Sequence, residues 1–122
     1  MLKNLLIVGA GGALGSIARF LSYFIFPKNI FSANTLIINI TGSFIIGILY
    51  ALSLKQNAVA ETTLLFLVTG ICGGYTTFST FSLENIQLLQ SGKILTAILY
   101  SLSSLAGGLL ACWLGYKLLQ VK

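Results

Sequence analysis

Apolar residues run through this chain in four long blocks separated by short polar connections. The blocks cover residues 5–26, 35–54, 62–89 and 94–119. Each reaches the roughly 20 predominantly apolar residues that a bilayer-spanning helix needs, and the second carries no charge at all. The connections hold the turn formers: Pro27-Lys28-Asn29, Lys55-Gln56-Asn57 and Ser91-Gly92-Lys93. The pattern predicts an all-α integral membrane protein, with 1–122 forming a single unit of four transmembrane helices. The first block is too long and too glycine-rich for a signal peptide and lacks a convincing small-residue cleavage site.

The third block is interrupted. Residues 64–72 read as half of a spanning helix, and then come Gly73-Gly74-Tyr75-Thr76-Thr77-Phe78-Ser79-Thr80-Phe81-Ser82. Two adjacent glycines and a run of hydroxyls stand where lipid tolerates few. Backbone polar groups cannot stay unpaired in hydrocarbon, so a break near 73–77 must face protein, water or an ion. Discontinuous helices of this kind are where transporters build ion sites.

Composition strengthens this picture. Hydrophobic residues make up 57% of the chain and charged residues 7%, too few to coat a globule in water, where about 25% is usual. The net charge of +5 comes from six lysines and Arg19 against Glu61 and Glu84. Most of these lie at block ends, which points to lipid headgroups rather than nucleic acid. With four spans, Lys3, Lys55, Lys117 and Lys122 fall on one side of the membrane. Lys28 and Lys93 fall on the other, joined by Arg19 if it snorkels that way. So weak a bias predicts insertion in both orientations. Cys72 and Cys112 lie inside apolar blocks, and the chain has no histidine to complete a metal site with them.

Several residues carry candidate chemistry. The run from Gly9 through Gly11 and Gly12 imitates a dinucleotide-binding loop, but Leu14 occupies the third glycine position and no strand–helix alternation follows. Gly11 with Gly15, and Gly107, Ala111 and Gly115 in the last block, instead have the small-residue spacing of close helix packing. Arg19 either snorkels to the interface or makes an electropositive vestibule. Asn39, alone in an uncharged span, must pair with protein or hold an anion through its N–H donors. Phe78 and Phe81 share a helix face. Their positive ring edges, among the hydroxyls of Thr76, Thr77, Ser79, Thr80 and Ser82, suit a small anion without a full charge. Glu84 is an ionisable group well inside a span, and such groups are functional candidates.

Taken together, these stretches resemble the Fluc (CrcB-type) fluoride channels. The resemblance rests on the glycine-rich first helix with Arg19, the stretch Thr35-Leu36-Ile37-Ile38-Asn39-Ile40-Thr41-Gly42-Ser43, and the run from Gly70 through Glu84. It implies a dual-topology, antiparallel dimer of identical chains, or of this chain with a paralogous second subunit, enclosing two fluoride pores. By residue match, Asn39, Phe78 and Phe81 line the fluoride path, and Ser79, Thr80, Tyr100 and Ser104 continue it. Gly108 stands where some members have serine. Arg19 and Glu84 lie at the vestibule. A central structural sodium ion is implied at the backbone carbonyls of Gly73 and Thr76. The implied role is passive export of cytoplasmic fluoride that entered as hydrogen fluoride, in the cell (inner or plasma) membrane.

Two other readings compete. Small multidrug-resistance exporters are also short four-span proteins, but they depend on a carboxylate in the first helix, where this chain has Arg19 and no Asp or Glu. A non-transporting scaffold subunit leaves the hydroxyls and rings beside Gly73-Gly74 without a purpose. No nucleophile–base pair or nucleotide site is visible, so no enzyme activity is expected.

Overall fold

The computed structural model describes residues 1–25, 33–55 and 59–120. Phe26 at the expected end of the first span, the Pro27-Lys28-Asn29 turn, Gln56, Asn57 and Lys122 lie outside the described residues. All regular structure among the described residues is helical. The elements are α1 (Leu2–Ile25), α2 (Ala33–Ser53), α3 (residues 61–75), α4 (Phe78–Gln90) and α5 (Ile94–Leu118). α3 and α4 are the two halves of the broken third span, so four stretches are long and apolar enough to cross a bilayer.

Large apolar side chains cover the outside. Leu6, Phe20, Phe24, Leu102, Leu105 and Leu109 are all exposed, and among the described residues the buried hydrophobic set is small: Ile38, Leu49, Ala51, Cys72, Leu88, Ala97, Tyr100 and Ala111. Helices that are apolar all round belong in lipid. This is a multi-pass membrane protein whose surface is made for hydrocarbon.

The helices associate as two tight pairs, α1 with α3 and α2 with α5. Lipid tails remove the usual hydrophobic drive for helix association, so backbone approach through small residues replaces it. A Cβ added at Gly11 would lie 2.6 Å from the Phe66 carbonyl oxygen, and one at Gly15 would run into the Ile71 carbonyl. In the other pair, Gly47 sits against the Cys112 carbonyl and Gly115 against that of Phe44. Both glycine patterns read from the sequence therefore serve packing. Between the pairs, at the end holding Asn4, Tyr50, Glu61 and Cys112, a mostly apolar groove of about 550 Å³ opens.

α3 is not a uniform α-helix. From Leu65 to Cys72 it widens into a π-helix, and the Gly73 amide closing it reaches back five residues to the Val68 carbonyl. Such wide turns are rare and cluster at functional sites. The apolar run itself carries no signal for it. α4 ends in a tight turn: Lys93 N–H donates to the Leu88 carbonyl at 2.9 Å and Gly92 N–H to that of Leu89 at 3.1 Å. Gly92 adopts φ +74°, the left-handed cap that glycine makes without strain.

Candidate functional site

The break lies at Thr76 and Thr77, whose φ/ψ values of −77°/156° and −151°/118° are extended. Gly73–Tyr75 remain helical, so the double glycine precedes the break rather than forming it. A break leaves helix-end groups without partners, and side chains meet several of the polar groups around it. Thr77 Oγ1 accepts from the Thr80 amide at 3.2 Å, which caps the start of α4. Its hydroxyl donates to Thr80 Oγ1 at 3.1 Å, with Ser79 Oγ 3.3 Å away. The Thr76 hydroxyl returns to the Cys72 carbonyl at 2.8 Å, and the Thr76 methyl fills the notch left by Gly42 of α2.

Two side chains from other helices add to the pairing. Asn39 of α2 donates Nδ2–H to the Thr77 carbonyl at 3.0 Å, and its Oδ1 accepts the Thr77 amide at 2.8 Å. Arg19 of α1 donates Nη1–H to the Thr76 carbonyl at 3.2 Å. It turns inward to the break rather than snorkelling to the interface, because an unpaired carbonyl at mid-span is a better partner than distant water.

The aromatic expectation divides. Phe78 and Phe81 are neighbours, ring centroids 5.5 Å apart, and Phe81 continues to Tyr100 at 5.1 Å. Phe81 packs on the cluster of Leu88, Ala97 and Tyr100, whereas Phe78 is 79% exposed. Ser79 and Gly73 face outward as well. Midway along α4, Glu84 is bound on both oxygens: Thr35 donates to Oε1 at 2.8 Å and Tyr100 to Oε2 at 2.7 Å. Because the Thr35 proton is directed at Glu84, the Tyr23 hydroxyl 3.3 Å away is the donor to Thr35. Ser104, one turn beyond Tyr100 on α5, has a buried Oγ with no hydrogen-bond partner.

The structure thus brings Asn39, Thr76, Ser79 and Thr80 together around the break, and Phe78, Phe81, Tyr100 and Glu84 along α4 and α5. Arg19 belongs with the break. Sequence reasoning noted Thr77 only as one hydroxyl of the run and Thr35 only within a family stretch, and it missed Tyr23. The capping role of Thr77 was findable, since threonine is a favoured residue immediately before a helix. Tyr23 carries no comparable mark.

Comparison with known proteins bears on this arrangement. Residues 6–116 match the family described as CrcB-like protein, Camphor Resistance (CrcB). The chain belongs to the CrcB family. The match runs from the first turns of α1 to the last turns of α5 and so takes in every residue of the site. Among CrcB-family relatives, one from Azobacteroides pseudotrichonymphae is 45% identical over 98% of each chain. Another, from Flavobacterium psychrophilum, is 46% identical over 93% of this chain and 94% of its own. A third, from Rhizobium meliloti, is 38% identical over 98% of each. All three are named fluoride-specific ion channels. The resemblance drawn from the three sequence stretches and this family assignment agree, and a family of ion channels agrees with the expectation that the chain is not an enzyme.

Proposed function

We propose that this protein is a passive, fluoride-selective channel that releases cytoplasmic fluoride through pores built around the break. The similarity to relatives named as fluoride channels carries the reading, over nearly the full length of both chains. The site's chemistry supports it. Ser79 and Thr80 lie in the chain between Phe78 and Phe81, whose rings are 5.5 Å apart, so hydration would be replaced by weak, uncharged contacts from which an ion can leave. Ser104 Oγ, buried and unpartnered, is a free donor on the same path.

The working unit is an antiparallel dimer with two pores. Gly73, Ser79 and Phe78 face outward from the single chain at mid-span, and polar backbone there has no place in lipid. A second copy of opposite orientation, or a paralogous subunit, covers them. The break also fits the structural sodium. The Thr77 amide, which would close a helical bond onto the Gly73 carbonyl, is committed to Asn39 instead, and the Thr76 carbonyl lies in extended backbone. The Gly73 oxygen, with the Thr76 oxygen that Arg19 also contacts at 3.2 Å, would hold the ion, whose charge offsets carbonyl dipoles at the break.

The deciding experiment is fluoride-electrode efflux from liposomes containing purified protein, with chloride as the control anion. Fluoride release without chloride release is expected. Equal release of both, or of neither, overturns the reading.

A further inference from the structure

Asn39 is bonded in a way that an anion ligand does not require. Thr77 is extended, with φ −151° and ψ 118°, and in that conformation one residue's N–H and C=O both point to the same side. Two residues facing each other across an antiparallel ladder exchange both bonds in this manner. Here the second residue is a side chain. Asn39 Oδ1 takes the Thr77 N–H at 2.8 Å and Nδ2 gives a hydrogen to the Thr77 C=O at 3.0 Å. The pairing also settles the amide's orientation, because a flipped carboxamide would set donor against donor.

We propose that Asn39 is a positioning residue that acts as a single-residue strand partner for Thr77, and through it sets where α4 and its phenyl rings begin. Thr77 is both the pinned residue and the cap of α4, since its Oγ1 accepts the Thr80 amide at 3.2 Å. Phe78 is the first residue of that helix. A shift of the Thr77 peptide therefore carries Phe78, Ser79 and, one turn on, Phe81. Few side chains can replace this device. An ionised aspartate has only acceptors, serine has one short hydroxyl, and leucine has the shape without the polarity. Once both bonds are made, Asn39 retains a single N–H for any passing ion. The inference deepens the fluoride reading and rests on it only where flux is measured.

The test uses the reconstituted full-length protein. In one variant, the Thr77 residue is replaced by its α-hydroxy analogue, so that the amide N–H becomes an ester oxygen while Asn39 is untouched. A 4-fluorophenylalanine at position 78 reports ring position by fluorine NMR. We expect the single ring resonance of the parent to split or broaden and efflux to fall about tenfold, the scale of one lost hydrogen bond. An unchanged resonance overturns the proposal. Amide exchange decides the matter even if the ester variant fails to fold. In the parent the Thr77 amide should exchange at least about tenfold more slowly than the uncapped Ser79 amide, and in Asn39→Leu that protection should vanish. A fast Thr77 amide in the parent, or one still protected in Asn39→Leu, refutes the proposal. Neither the resonance nor the exchange rate depends on flux, so a parent that releases no fluoride would sink the channel reading while leaving these two results decisive.

Discussion

The two halves of the third span are built by opposite means. α3 is held by what it lacks: Gly70 and Gly74 lie against Gly11 and Gly12 of α1, backbone on backbone, with a Cβ at Gly70 falling 2.8 Å from Gly11 Cα. α4 is held by what it carries. Glu84 binds Thr35 and Tyr100, Asn85 accepts the Ser101 hydroxyl at 2.9 Å, and Leu88 is buried with Ala97. Contact through glycine is dry, short and intolerant of added atoms, whereas contact through polar side chains can be exchanged. A half fixed by backbone contact thus meets a half held by exchangeable polar contacts.

Substitutions can break or sharpen that contrast. The largest effect is expected on the glycine side. Gly15→Ala should destabilise the fold by about 3 kcal/mol, because its methyl meets the Ile71 carbonyl and neither backbone can yield. Thermal unfolding in detergent checks this, with Gly9→Ala as the silent control, since nothing lies within 4 Å of a Cβ there. If the two behave alike, backbone approach does not hold α3.

Glu84→Gln should be next, at about 2 kcal/mol, because a carboxamide cannot accept from Thr35 and Tyr100 as a carboxylate does. The same unfolding assay reads it, and an unchanged midpoint would show the network to be dispensable for α4. Phe78→Ile should separate function from folding. The ring is 79% exposed in the single chain, so the stability of each chain's fold should hold while fluoride efflux falls about tenfold with loss of the ring edges. Phe81→Ile, which also strips a ring from the packed cluster, should lower both. Equal stability losses in the two variants would contradict this division. The smallest change is expected from Thr77→Val, which removes the α4 cap at about 1 kcal/mol, with Thr77→Ser nearly neutral by the same measurement.

Much of this architecture was legible before any coordinates. Four spans follow from block length, and the Ser91-Gly92-Lys93 turn from its glycine. The interruption follows from hydroxyls set among apolar residues, and the two packing seams from the spacing of small residues. What escaped was everything decided by distance across helices. The widening at Leu65–Cys72 hides in a run that suits an α-helix equally well. The inward turn of Arg19 hides because its carbonyl partner is 57 residues away and exists only once the helix is broken. Asn39 was recognisable as a buried amide in need of partners. Its commitment of both polar ends to one peptide depends on the extended angles of Thr77, which no local pattern encodes.

The order of the chain adds a consequence for how the protein is made. Domains and segments emerge from the ribosome beginning at the N-terminus, and the side chains that grip the interruption come first. Arg19 precedes its partner by 57 residues and Asn39 precedes its own by 38. Neither arm of the third span, at 15 and 13 residues, has the length to cross a bilayer unaided. When those arms leave the translocon, the donors and the acceptor they need are already in the membrane. The later fastenings of the second arm, Ala97, Tyr100 and Ser101, must await further synthesis.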